Sequence, residues 1–175
     1  WPCEYFSNDL FLAYKDFGPT PSPFDSWLNS LCIQDMGVRM KHQCESAHRL
    51  AEFLEQHPKV QKVWYPGLES HPQHELMKKQ MRNGGGMIAF EVEGGYDAGV
   101  SLMNYFARPD TPMELAVSLG SVISYIEHPA SMTHASIPKK ERLKVGLTDS
   151  LIRLSVGIED VDDLIQDLDK AFQNI

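Results

Sequence analysis

The chain predicts an α/β or α+β fold with a layered sheet, and three observations carry that expectation. Short alternating runs read as strands: KVWY at 62–65, MIAFEVE at 87–93, LAVSL at 115–119 and LIRLSV at 151–156. Between them lie segments with apolar residues at helical spacing, so strands and helices alternate. At 175 residues, with 42% hydrophobic and 23% charged residues, the chain can bury the core of one ordinary domain.

Each element has its own signal. GPTPSPFD, Gly18 to Asp25, holds three prolines and reads as a connector into a helix from Trp27 to about Met36, with a break near Gly37. In the next helix Met36, Met40, Cys44, Ala47, Leu50, Ala51 and Leu54 form one apolar stripe, which stops before His57-Pro58. KVWY ends at the turn Pro66-Gly67. A helix follows from about Pro72 to Met81, and Gly84-Gly85-Gly86 then introduces MIAFEVE. Gly94-Gly95 turns into a helix of roughly Tyr96 to Phe106. The last helix shows Val161, Leu164, Ile165, Leu168 and Phe172 on one face. Its acidic start (Asp160, Asp162, Asp163) and late Lys170 suit the helix dipole.

Composition narrows the function. The net charge is -8 and no long basic run occurs, which argues against nucleic-acid binding, because phosphate contacts need clustered Lys and Arg. No apolar run approaches bilayer-spanning length, and Trp1 to Gly18 lacks the pattern of a signal peptide. Cys3, Cys32 and Cys44 are odd in number and widely spaced. They read as free thiols in a reducing compartment, and the expected location is cytoplasmic. The missing initiator Met suggests a fragment or a processed product.

Several residue groups have the chemistry of a site. Gly84 to Gly86 precedes a strand instead of opening a helix and lacks a Walker lysine, so it reads as a turn. Cys44 with His48, or His71 with His74, offers two ligands where a closed zinc site needs four, so no metal is expected. His128 and His134 flank PASMT, but no G-x-S-x-G elbow accompanies them, and they read as loop histidines bonded to backbone. Period-two alternation places Leu115, Val117 and Leu119 on one face and Ser118 on the other. It likewise sets Arg153 opposite Ile152, Leu154 and Val156. A guanidinium there can fork onto a carboxylate, although a lone strand arginine is more often a surface or ion-pair residue.

The segments SPFDSWL, RMKHQCESAHRLAEFLEQHPKVQKVWYPGLESHPQHELMKKQM, GGGMIAFEVEGG, LAVSLGSVISYIEHPASMTHASIP and GLTDSLIRLSVGIEDVDDLIQDL carry a resemblance. From about Pro21 to Phe172 the chain resembles the C-terminal part of the cysteine and methionine metabolism enzymes that depend on pyridoxal 5'-phosphate (PLP). That family includes methionine γ-lyase, cystathionine γ-lyase, cystathionine γ-synthase and O-acetylhomoserine sulfhydrylase. The resemblance implies the α+β-like C-terminal domain of a fold type I PLP-dependent transferase, with a small, mostly antiparallel sheet flanked by helices. Residues 1–20 would connect from a PLP-binding domain, and residues 21–175 would form the substrate-side domain.

The resemblance also assigns roles. Arg153 would hold the α-carboxylate of a sulfur amino-acid substrate, with Ser118 beside it. Val117, where cystathionine-handling members commonly have Glu, would favour a neutral distal group such as a methyl thioether. The expected activity is carbon–sulfur lysis most like that of methionine γ-lyase, in an enzyme that is usually a homotetramer. Cystathionine γ-lyase or γ-synthase, O-acetylhomoserine sulfhydrylase and a non-catalytic assembly module are the alternatives. No lysine here has the Ser-x-Thr-Lys setting of the family's Schiff-base residue. The cofactor is therefore expected to be held by sequence outside this chain, and the chain alone to be inactive.

Overall fold

The structure, a computed structural model, describes residues 10–175. Cys3 and the start of the expected connector lie outside those residues. The chain divides into two units at Gly37–Val38.

In the first unit, helix α1 spans Phe11–Phe17 and closes on Gly18, whose left-handed backbone lets its N–H reach the Tyr14 carbonyl. Helix α2 spans Pro23–Cys32. Its start is fixed by Ser22, whose Oγ accepts from the Asp25 N–H at 3.1 Å while Pro23 takes the first helical position. The expected Trp27–Met36 helix is therefore displaced toward the N-terminus: SPFD is a helix cap as well as the end of a connector. The break falls at residues 33–35, and Gly37 lies inside the next helix, α3 (Met36–Gln56). Among the described residues of the first unit the large apolar side chains are exposed, including Phe17, Phe24 and Trp27.

In the second unit, α3 continues and buries Cys44, Ala47, Leu50, Ala51 and Leu54 of the expected stripe, whereas its first members, Met36 and Met40, are exposed. Five strands follow: β1 Val60–Trp64, β2 Met87–Val92, β3 Glu114–Leu115, β4 Tyr125–Glu127 and β5 Leu151–Ser155. They are interspersed with α4 (His74–Gln80), α5 (Gly95–Phe106), α6 (Lys139–Lys144) and α7 (Val161–Phe172). The sheet order is β1-β2-β5-β4-β3. Every pairing is antiparallel except β3 with β4, so the small, mostly antiparallel sheet flanked by helices is present.

One face of the sheet forms the core. Ile88 and Phe90 of β2, Ile126 of β4, and Ile152 and Leu154 of β5 pack with Leu102 and Phe106 of α5 and with Leu164, Leu168 and Phe172 of α7. Burying each such side chain contributes roughly 1.5–3 kcal/mol. Helix α7 starts at Asp160, whose carboxylate accepts from the Asp162 N–H at 2.8 Å, and its acidic first turn and terminal Lys170 are as expected. Gly157 follows β5 where a Cβ would strike the backbone of Val122 and Ile123, so the chain passes there only without a side chain.

The LAVSL expectation is corrected. Only Glu114 and Leu115 pair, in parallel with Tyr125 and Ile126, and the ladder ends at the Ala116 N–H to Ile126 carbonyl bond. Beyond it Val117 is 51% and Leu119 59% exposed, so neither faces a core. The physical reason lies on β5: the carbonyls of Val117 and Ser118 are taken by the Arg153 guanidinium instead of a neighbouring strand.

Candidate functional site

The open face of the sheet centres on Arg153. Alternation along β5 turns Ile152 and Leu154 inward and leaves Arg153 on the opposite face, between Ala89 of β2 and Glu127 of β4 in register. Its Nη2 donates to the Val117 carbonyl at 2.8 Å and to the Ser118 carbonyl at 3.0 Å. Its Nε lies 2.9 Å from Glu127 Oε1, a close ion pair whose N–H is not aimed as a hydrogen bond. The three residues singled out by sequence, Arg153, Ser118 and Val117, are thus brought together. The guanidinium does not stand free, because one edge is already engaged. Its Nη1 makes no hydrogen bond among the described residues, and the Ser118 hydroxyl is exposed.

Glu127 was missed at the level of sequence. It sits in YIEHPA, where a charged residue reads as solvent-facing. Its side chain is only 3% exposed, and its second oxygen accepts from Thr133 Oγ1 at 3.3 Å. Ser155, two residues beyond Arg153 on the same face, is buried and accepts the Gly120 N–H at 3.1 Å. Gly120 has φ 75°, so the chain after Ser118 turns back onto the sheet through a left-handed residue. A further clamp joins Ser124 to Glu159: the Ser124 N–H and Oγ donate to its two carboxylate oxygens at 2.6 and 2.8 Å. Gln43 of α3 donates to the Ser121 carbonyl at 2.6 Å. The segment carrying Val117 and Ser118 is therefore pinned by side chains after it, at residues 120–124, and by the Ala116 backbone bond before it.

The remaining candidates occupy other places. His128 is fully buried, with Nε2 at 2.8 Å from the Asp149 carbonyl and Nδ1 at 2.9 Å from Ser131 Oγ. Burial pushes its pKa below the ordinary histidine value, so it is held neutral. Lys139 and Arg142 hold the Asp149 carboxyl below the usual carboxylate range. His134 bonds Thr133 Oγ1 through Nδ1. The glycine run at 84–86 closes over Tyr65, whose hydroxyl donates to the Gly85 carbonyl at 2.9 Å. Cys44 and His48 line a separate cavity of about 540 Å³ with Lys41, Arg49 and Tyr65, and burial pushes the Cys44 thiol up. His74 is buried against the Pro66 carbonyl. Cys32 and Cys44 are both free.

An arginine set on the open face of a sheet, beside an exposed hydroxyl and a short connecting segment, is a surface suited to an acid group. Comparison with known proteins supplies the rest. The family model for the Cys/Met metabolism PLP-dependent enzymes matches residues 3–173, and the chain belongs to that family. It is 45% identical over 166 residues to an L-methionine gamma-lyase of Fusobacterium nucleatum subsp. polymorphum, covering 94% of this chain and 41% of that protein. It is 49% identical over 168 residues to a cystathionine gamma-lyase of Dictyostelium discoideum, covering 96% and 42% respectively. Among solved structures, a cystathionine gamma synthase from Xanthomonas oryzae pv. oryzae, in complex with aminoacrylate and cysteine, superposes with a TM-score of 0.82. It is 39% identical, and the match covers 91% of this chain and 40% of that one. The chain thus spans about two fifths of the length of the curated relatives it matches.

PLP requires a lysine for its aldehyde and an acid for its ring nitrogen. Among the described residues no lysine is buried, and none bonds to Arg153. Lys59 donates to the Ile175 carbonyl, Lys62 lies over Trp64, and Lys139 pairs with Asp149. Glu127, the carboxylate nearest the site, is already committed to Arg153. The described residues do not fit the cofactor's anchor. No helix of the described residues is long and apolar enough to cross a membrane.

Proposed function

We propose that this chain is the substrate-side, C-terminal portion of a PLP-dependent sulfur amino-acid lyase, in which Arg153 holds the substrate α-carboxylate. In this reading residues 1–20 connect to the PLP-binding part and residues 21–175 form the substrate-side domain. The observation that carries it is the state of Arg153. Its Nη2 and Nε are engaged by the protein, while Nη1 and the Ser118 hydroxyl are left to an incoming acid group. Two charge-assisted bonds from those donors would fix the substrate's orientation, and orientation is the part of catalysis this chain supplies. PLP, in enzymes of this family, supplies the electron sink.

Val117 is the basis for the substrate class. Its side chain is half exposed beside Arg153 and offers no charge to a distal ammonium, which favours a neutral thioether such as methionine over cystathionine. The exposed aromatic residues of the first unit, Phe17, Phe24 and Trp27, support packing against further polypeptide in a homo-oligomer. A cytoplasmic location fits the free thiols of Cys32 and Cys44.

In the complete enzyme Arg153→Ala should raise KM for methionine by about a hundredfold, the cost of losing charge-assisted bonds to the carboxylate. An unchanged KM would remove Arg153 from the site. Methionine should also be turned over in preference to cystathionine, and the reverse preference would return the assignment to the cystathionine-handling members.

A further inference from the structure

We propose that Glu127 is a positioning residue for the substrate carboxylate, acting through the Arg153 guanidinium. The proposal rests on the reading of Arg153 given above. Glu127 and Arg153 are direct cross-strand partners on β4 and β5, so the pair is set by sheet register and not by a flexible loop. The carboxylate is buried and the guanidinium is partly open, with 3% and 26% of the side chains exposed. An exposed pair would be worth little, but one with a buried member constrains its partner.

The geometry shows what is constrained. The planar guanidinium is bonded at Nη2 to two carbonyls and has the buried Glu127 carboxylate 2.9 Å from its Nε as an ion-pair partner, which together restrict its rotation about the long axis. Only Nη1 then remains for a ligand. Without Glu127 the Nε edge loses its contact and the plane can swing. Thr133 in turn holds the far oxygen of Glu127, so the carboxylate is itself fixed.

Charge and geometry predict opposite outcomes here. Glu127 offsets the positive charge of Arg153, so its removal should strengthen carboxylate binding if electrostatics dominates. If positioning dominates, its removal should weaken binding.

The test uses the complete PLP-loaded enzyme and two calorimetric probes, L-norleucine and pentylamine, which share an alkyl chain but differ in the carboxylate. Glu127→Ala should raise the norleucine Kd by about tenfold and leave that of pentylamine unchanged, as expected for a misdirected charge-assisted bond. Glu127→Gln, which keeps an oxygen at the same reach, should recover most of the loss. Glu127→Asp, which keeps the charge but withdraws from Nε, should recover less. If Glu127→Ala does not fold, the order of the Gln and Asp variants still decides the matter. Tighter norleucine binding in any variant, Asp outperforming Gln, or equal losses for both probes would each overturn the proposal. Should Arg153→Lys leave norleucine binding unchanged, the Arg153 reading fails first. If it weakens binding while the Glu127 series stays flat, only the present proposal fails.

Discussion

The two faces of the five-stranded sheet are built from alternate residues of the same strands, yet they are held together differently. On the inner face Ile88, Phe90, Ile126, Ile152 and Leu154 are excluded from water and make non-directional contacts with α5 and α7. On the outer face Arg153, Glu127 and Ser155 make few contacts, an ion pair and directional hydrogen bonds. The inner face supplies stability that tolerates repacking. The outer face supplies geometry, and each bond there fixes one atom of the site. Core and proposed site are separated by one residue step along β5.

Substitutions can test that separation. Leu154→Ala should have the largest effect, about 3–4 kcal/mol of stability lost to transfer and cavity terms, read by urea denaturation. A loss below 1 kcal/mol would mean the inner face is not the core. Arg153→Ala should come next, at about 2 kcal/mol. It leaves the Glu127 carboxylate buried without its charge partner, and the cost falls short of a fully buried pair because the arginine side chain partly reaches solvent. The double variant Arg153→Met with Glu127→Gln should regain most of this. If it does not, the pair supports the fold as well as the site.

A pH effect should follow. Burial lowers the pKa of His128 below its ordinary 6.5, so the folded protein holds it neutral while the unfolded chain binds a proton below that value. Stability should be flat above pH 6.5 and should fall as the pH drops through that value toward the depressed one. The Asp149 contribution has the other sign of cause. Its carboxyl is lowered from 3.8, so it persists to more acidic pH and is lost only as the pH falls below that range. His128→Gln should flatten the urea midpoint between pH 7 and 5, and a retained slope would assign the effect elsewhere. The smallest stability change should come from Val117→Glu, within about 0.5 kcal/mol because the side chain is exposed. In the complete enzyme that substitution should nevertheless shift preference from methionine toward cystathionine. Unchanged preference would remove Val117 from the specificity role.

The inner face was legible in sequence because burial writes a period: β2 alternates throughout and β5 as far as Leu154, α7 carries an unbroken stripe, and α3 carries one from Cys44 onward. The outer face was only partly legible. Arg153 stood out as a charge in an apolar strand. Its partner Glu127 did not, because β4 is three residues long and too short to show alternation. Helix α6 was missed because KKERLK has no apolar face, and the buried Arg142 is its anchor. The segment 115–119 was misread because its apolar residues obey the strand pattern while a guanidinium, invisible to local periodicity, takes the carbonyls that a strand would need.

That last contact has a wider reach. Arg153 grips residues 117 and 118 by their main-chain oxygens, and every amino acid has one. The grip is therefore indifferent to what position 117 displays, so under the proposed reading a lineage could exchange that display, and with it the substrate preferred, without loosening the arginine.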